Sequence, residues 1–171
     1  MEKNEIVQII SNRLAKSRAE FEVFSSRKKI LSCDIKDGQL DHFRTSMELG
    51  IALRTLDNGR LGFSYIYGPN PDTLLQLADQ AVAIASQADH DPLHSFSPPE
   101  QPTAQDLQVF DSTLSRRANK EKVEHLKEME QRALDVDSRI RKVRKAKYEE
   151  TTSYAFVVNS YGLDAEKQGT A

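Results

Sequence analysis

Two histidines four residues apart, His90 and His94, have the spacing most typical of a metal-binding pair in this sequence. On an α-helix this spacing places two imidazoles on one face, where both can ligate zinc. Here Pro92 lies between them in a proline-rich segment, and no third ligand is close in the sequence. We interpret both as exposed loop histidines, and His42 and His125 as structural. The histidines therefore predict no metal ligand, and we expect no cofactor in this chain.

A second group that could do chemistry is a run of cations between residues 139 and 147. It contains six basic residues and no acid: Arg139, Arg141, Lys142, Arg144, Lys145 and Lys147. Such a run can contact phosphates, which makes a nucleic-acid-binding module one alternative function. Acidic residues flank the run, and the net charge of the chain is −2. We therefore favour a solvated basic face and do not expect nucleic acid as a partner.

Residues 48–68 contain two alternating runs on either side of Asp57-Asn58-Gly59, which predicts a β-hairpin. A three-residue loop with Gly59 in a bulge would pair Leu53 with Phe63 and collect the large apolar side chains on one face. A two-residue Asn58-Gly59 turn would set Leu53 against Ser64 and mix the faces. Because register normally follows the hydrophobic pattern, the longer loop is predicted.

With that register, the second face of the hairpin carries small residues and one arginine: Gly50, Ala52, Arg54, Gly62 and Ser64. Glycine and alanine on a strand permit the close approach of another backbone. This face is therefore the candidate binding surface, for a peptide, a partner subunit or a further domain. The alternative is that a helix packs there, with Arg54 paired to a nearby acid.

The elements around the hairpin predict an α+β fold. Apolar residues at helical spacing predict an N-terminal helix over 6–14, and Asn70-Pro71-Asp72 is a typical start for a second helix. Short strands are expected over 19–24, 31–35 and 39–45, with turns at 26–29 and 37–38. A third helix is expected over 115–136 and a strand over 152–158, whereas 138–150 fits either state.

We therefore expect a single domain over 1–171, with an antiparallel sheet of about five or six strands and helices packed mainly on one face. Residues of about 89–114 contain four of the six prolines and are expected to form a mobile connection. The charged helix over 115–136 makes a helix-mediated oligomerisation module a further alternative function.

The composition of the chain indicates the cellular compartment in which it is expected. It has 171 residues and one cysteine, Cys33, so no intrachain disulfide can form and a reducing compartment is favoured. The residues after Met1 are mostly charged, unlike a signal peptide, and no apolar run approaches the roughly 20 residues that a membrane span needs. We expect a cytoplasmic protein that does not bind membranes.

The hairpin pattern resembles a known family. Its glycines, arginine and aromatics resemble the N-terminal domain of the TldD/PmbA family, the modulators of DNA gyrase: Gly50, Arg54, Gly59, Gly62, Phe63 and Tyr65. Asp37-Gly38, the alanine-rich helix after the hairpin and Asn159-Ser-Tyr-Gly162 also fit, in the family's order, from about Ala19 to Gly162. The last of these motifs is closer to the PmbA type, also called TldE.

The resemblance implies a metallopeptidase-like system whose zinc motif, HExxxH with a further cysteine, lies in a C-terminal domain. No HExxxH occurs in these 171 residues, so the metal-bearing domain is expected to lie outside them, and zinc with it. The resemblance therefore implies a non-catalytic N-terminal domain that shapes a peptide chamber and supports assembly. Expected partners are TldD/PmbA-type subunits, in a homo- or hetero-oligomer, and an unfolded peptide substrate.

Overall fold

The computed structural model describes residues 1–17, 19–99 and 107–171. In chain order the elements are α1 (Lys3–Leu14), β1 (Glu20–Lys36), β2 (Gln39–Asp57), β3 (Arg60–Tyr67), α2 (Pro71–Gln87), a 3-10 turn (Leu114–Arg116), α3 (Asn119–Asp135), β4 (Ala146–Asn159) and β5 (Asp164–Thr170). The strands form one antiparallel sheet in the order β3-β2-β1-β4-β5. The predicted α+β class is confirmed. Among the described residues, no helix is long and apolar enough to span a bilayer.

Strands β1 and β2 are longer than predicted. The turn expected at 26–29 is wrong, because β1 continues through it from Glu20 to Lys36. The segment Ser-Ser-Arg-Lys-Lys is polar, but it contains neither glycine nor proline, and strand pairing overrides weak local preference. The turn expected at Asp37-Gly38 is confirmed, with both residues at positive φ, 52° and 72°.

Contacts group the chain into two compact units, to which the long strands contribute different segments. The first comprises Met1–Arg27, Glu48–Gln105 and Tyr154–Lys167, and the second comprises Lys28–Met47, Asp106–Ser153 and Gln168–Ala171. The single domain expected over 1–171 stays a prediction.

The core of the first unit lies between helices α1 and α2 and one face of the sheet. Its fully buried side chains come from both helices and from four strand positions: Ile6, Ile10, Leu14, Leu74, Leu77, Ala78, Ala81, Val23, Ile51, Leu53 and Phe156. The predicted N-terminus of α2 is confirmed, because the Asn70 side chain accepts from Thr73 N and the Thr73 hydroxyl accepts from Asn70 N, both at 2.9 Å. This reciprocal cap fixes the entry of α2.

The core of the second unit lies between helix α3 and the sheet. Leu126 of α3 packs with Leu31, Cys33 and Ile35 of β1 and with Ala146 at the start of β4. The ambiguous segment 138–150 is thus resolved as an irregular stretch followed by a strand. Strand β5 follows the turn at Asn159–Gly162.

Candidate functional site

The β2–β3 hairpin differs from its predicted register. Asn58 and Gly59 form a two-residue turn with φ of 48° and 74°, and Asp57 pairs with Arg60. Leu53 is consequently opposite Ser64, and the predicted pairing of Leu53 with Phe63 is wrong. The Asn-Gly turn matches the twist of the flanking strands, and this local preference outweighs the sorting of side chains by size.

The two-residue turn divides the five residues of the predicted small face. Gly50, Ala52 and Arg54 lie on one face of the sheet, and Gly62 and Ser64 lie on the other. The prediction that all five share a face is therefore wrong.

Gly62 and Ser64 face helix α2, in agreement with the alternative prediction that a helix packs on the small residues. A Cβ built on Gly62 would lie 1.9 Å from Ala81 O, so this glycine lets the helix backbone approach the strand. The Ser64 hydroxyl donates to Gln80 Oε1 at 3.0 Å. These two positions serve packing inside the first unit.

The opposite face of the same hairpin is aromatic and exposed. Phe24, Phe63, Tyr65 and Tyr67 are 48%, 48%, 61% and 79% exposed, respectively. They surround a groove of about 390 Å³ whose floor includes Gly50 and Ala52. We call this surface the aromatic face and define it by these four aromatic residues with Gly50 and Ala52.

Successive rings of the aromatic face contact one another along β3. The Phe63 and Tyr65 rings have centroids 6.1 Å apart, and Tyr65 and Tyr67 meet edge to face at 6.0 Å. The complete lining of the groove contains no charged residue: Phe24, Ser26, Gly50, Ile51, Ala52, Phe63, Tyr65, Ile66 and Tyr67. The face is therefore chemically suited to an apolar, uncharged partner surface.

Strand β3 is also a terminal strand of the sheet. Since Asp57 and Arg60 close the two-residue turn, the backbone groups of Leu61, Phe63, Tyr65 and Tyr67 point away from β2. In the described part of the chain no other strand pairs with this edge. The aromatic face thus adjoins a row of backbone donors and acceptors that could pair with a further strand.

Arg54 lies beside the aromatic face but is held by the protein itself. Its Nε donates to Glu22 Oε1 at 3.1 Å, and its Nη2 also bonds that oxygen. The guanidinium lies 5.5 Å from the centre of the Phe96 ring, a cation–π contact. Arg54 thus pairs with a nearby acid, as the alternative to a binding role predicted.

Asn159 ties together the turn between β4 and β5 and the segment after α2. Its Oδ1 accepts from Tyr161 N and Leu163 N at 3.0 and 3.1 Å, and its Nδ2 donates to Ser97 O at 2.9 Å. The Phe96 ring meets the Tyr161 ring edge to face at 6.1 Å. Part of the connection expected to be mobile, 89–99, therefore makes specific contacts, while 100–106 lies outside the described residues.

The histidines lie against the hairpin turn. His94 is exposed, and its Nδ1 lies 3.2 Å from Gly59 O. His90 lies close enough that a Cβ on Gly59 would be 2.9 Å from its ring. Within the described ranges no three His, Cys, Asp or Glu side chains come together as metal ligands. The two loop histidines, with no third ligand beside them among the described residues, do not fit a zinc site.

The basic run is largely neutralised by acids of the second unit. Lys145 contacts Asp34 at 2.7 Å, Lys142 contacts Asp37 at 3.5 Å, and Arg139 and Lys147 pair with Asp137 and Glu149, each at 2.7 Å. This arrangement does not form the continuous positive stripe that an extended nucleic acid requires.

A buried charged group in the second unit was not anticipated from the sequence. Lys122 Nζ contacts Glu150 Oε1 at 2.7 Å, and the two side chains are 4% and 11% exposed. The Tyr148 hydroxyl donates to the other Glu150 oxygen at 2.8 Å. Burial and the Glu150 carboxylate together raise the pKa of Tyr148 to about 12. Charged and apolar residues are mixed along α3, so the sequence did not indicate that the Lys122 side chain faces inward.

Comparison with known families decides the identity. Residues 21–85 match the PmbA/TldA metallopeptidase domain 1, and residues 114–171 match the PmbA/TldA metallopeptidase central domain. The chain belongs to the PmbA/TldD family. The resemblance inferred from the hairpin pattern is confirmed. A comparison with curated proteins gave no match.

Solved structures of the PmbA/TldD fold agree with this assignment. A Thermotoga maritima protein named as a modulator of a DNA gyrase superposes with a TM-score of 0.82 at 17% identity, covering 99% of this chain and 38% of that protein. A Bacteroides thetaiotaomicron protein of the same name gives 0.80 at 20% identity, covering 98% and 38%. TldE from Thermococcus kodakarensis gives 0.75 at 17% identity, covering 98% and 36%. The chain thus spans between 36% and 38% of the length of these proteins.

Proposed function

We propose that this chain is a non-catalytic part of a PmbA/TldD metallopeptidase system, in which it shapes the peptide chamber and holds subunits together. Zinc chemistry belongs, in this proposal, to a metal-bearing domain or subunit. The observation that carries the proposal is the aromatic face, a cluster of exposed rings around a groove in a chain of this family. A cytoplasmic location is part of the proposal, consistent with the free thiol of Cys33.

The energetics of the aromatic face support assembly. Tyr65 and Tyr67, the two most exposed rings, each have a large apolar area and a polar hydroxyl, a combination that is enriched at the energetic centres of interfaces. Burying these rings against a partner removes apolar surface from water, and each tyrosine has few rotatable bonds to immobilise. Of the five residues that the sequence predicted to face a partner, Gly50 and Ala52 belong to the proposed contact surface, and Arg54 lies beside it.

The two alternative functions have less support. The apolar residues Val123 and Leu126 of α3 pack inside the second unit, which leaves mainly charged side chains for helix-mediated oligomerisation. The nucleic-acid alternative is weakened because four cations of the basic run pair with acids and are less available to phosphate groups. Both alternatives place the function on the second unit, whereas the exposed rings belong to the first.

The catalytic half of the proposal is tested by incubating the purified chain with an unfolded protein substrate and zinc. We expect no hydrolysis by the chain alone, and cleavage only after a zinc-bearing TldD-type subunit is added. A boiled sample of that subunit is the control. Chelator-sensitive hydrolysis by the chain alone would show that the assignment as non-catalytic is wrong.

A further inference from the structure

A cavity of about 550 Å³ in the second unit is lined by four cations and one carboxylate: Lys36, Lys142, Arg144, Lys145 and Asp41. We propose that this cavity binds a small anion with several phosphate charges, of the pyrophosphate class. The proposal concerns a site separate from the aromatic face and does not depend on a peptidase function. It also gives a role to Arg144, a residue of the basic run that makes no ion pair with a described residue.

The charge of the cavity favours an anion. Lys36 and Arg144 make no ion pair with any described residue, and both side chains are exposed. Even when Asp34 and Asp37 are counted with Asp41, the four lining cations outnumber the three acids. An anion bound here would contact Lys36 and Arg144, the two lining cations that have no ion-pair partner among the described residues.

Two acids behind the cavity position its lysines. Asp34, whose side chain is 8% exposed, contacts Lys145 Nζ through Oδ2 at 2.7 Å. Asp37 lies in the left-handed turn after β1 and contacts Lys142 Nζ at 3.5 Å. These carboxylates do not line the cavity themselves, so they orient the ammonium groups without occupying the space for a ligand.

Asp34 also makes an unusual polar arrangement. Its Oδ1 is buried and has no hydrogen-bond partner. A buried carboxylate oxygen without a partner is costly and rare in folded proteins. Its other oxygen, Oδ2, holds the Lys145 ammonium beside the cavity.

The ligand class follows from the kind and number of donors. The planar guanidinium of Arg144 can donate two parallel hydrogen bonds to phosphate oxygens, and the three lysines supply point charges. A single carboxylate would pair with only one of the two unpaired cations, Lys36 and Arg144, whereas two linked phosphates could contact both. An extended nucleic acid would need the ends of the basic run, but Arg139 and Lys147 are paired with acids and do not line the cavity.

The test is calorimetric titration of the 171-residue chain with inorganic pyrophosphate at low and at moderate salt. Arg144→Gln and Lys36→Gln each remove an unpaired cation and are expected to weaken binding about tenfold, since one charge-assisted contact is worth about that factor. The matched controls Arg139→Gln and Lys147→Gln remove cations outside the cavity and should stay within about twofold of the wild type.

Three results would overturn the proposal. One is the absence of pyrophosphate binding by the wild type at millimolar concentration. Another is an equal loss of affinity in the two control variants, which would indicate diffuse surface charge. The third is tighter binding of duplex DNA that depends on Arg139 and Lys147, which would assign the basic run to nucleic acid. Circular dichroism of each variant shows whether its fold is intact.

Discussion

The carbonyl oxygen of Ala81 in helix α2 occupies the space where a side chain at Gly62 in strand β3 would begin. A Cβ on Gly62 would lie 1.9 Å from that oxygen and 2.8 Å from Ala85 N. Both contacts are with helix backbone, which cannot rotate away as a side chain can. The close seating of α2 on strand β3 depends on this one missing methyl group.

Gly62→Ala is accordingly expected to destabilise the protein by about 1–3 kcal/mol or more, because overpacking forces α2 to shift. Urea unfolding followed by circular dichroism measures the change. Gly50→Ala is the matched control on the neighbouring strand, since its Cβ would meet the exposed Tyr67 ring at 3.3 Å and Ile66 O at an ordinary contact distance of 3.8 Å. Equal stability of the two variants would show that α2 does not rest on Gly62.

The buried pair Lys122–Glu150 yields a prediction about coupling. Lys122→Met leaves Glu150 buried without its cation, and Glu150→Leu leaves Lys122 in the same state; each is expected to cost about 3–5 kcal/mol. The double variant should cost much less than the sum, because no unpaired charge remains buried. A double-mutant cycle from urea unfolding measures this coupling, and strictly additive effects would contradict it.

Tyr148 should show a pH dependence in the alkaline range. Its pKa is raised from 10.0 to about 12 by burial and by its hydrogen bond to Glu150, so folding favours the neutral phenol. The stabilisation from this group is therefore complete below pH 10 and is lost as the pH rises through 12.

NMR of ¹³C-labelled tyrosine Cζ, assigned with Tyr148→Phe, tests this shift. At pH 11 the Tyr148 signal should still report a neutral phenol in the folded chain. In 8 M urea, the tyrosines should titrate near the ordinary value of 10. Titration of folded Tyr148 near pH 10 would mean that its hydroxyl is solvated and not bonded to Glu150.

Asn159 is predicted to be a stability residue of the β4–β5 turn. Asn159→Ala removes the acceptor of two backbone N–H groups and the donor to Ser97 O, in a residue that is 4% exposed. The expected loss is about 1–3 kcal/mol, the usual cost of leaving buried polar groups without partners. Thermal unfolding should show a lower midpoint than that of Asn12→Ala, an exposed control. An unchanged midpoint would contradict the role of Asn159 in this turn.

Much of the fold follows from local patterns in the sequence. The N-terminus of α2 was predictable because Asn70, Pro71 and Asp72 each satisfy a separate requirement of a helix start. The family was predictable because its glycines and arginine fall at fixed positions of one hairpin. Both signals come from residues that are close together in the sequence, so they can be recognised before the fold is known.

The register of the hairpin was wrongly predicted for a physical reason. Sorting side chains by size assumed that the small positions share a face, whereas Gly62 is small because Ala81 lies against it and Gly50 is small on the opposite face. The two glycines are therefore small for different reasons, and their similar size does not show that they lie on the same face of the hairpin. The inward orientation of Lys122 was equally hidden, because its partner Glu150 is distant in sequence.

The central claim, that the aromatic face holds this chain to a subunit of its own family, is tested by sedimentation velocity. The chain is measured alone over a wide concentration range and together with a zinc-bearing TldD-type subunit. Leu93→Ser, which removes a side chain that is 87% exposed outside the aromatic face, is the control. We predict that the wild type and this control associate, and that Tyr65→Ser with Tyr67→Ser weakens association at least about tenfold with folding intact. Association of the double variant as tight as that of the wild type, or a wild type that stays monomeric under both conditions, would contradict the account.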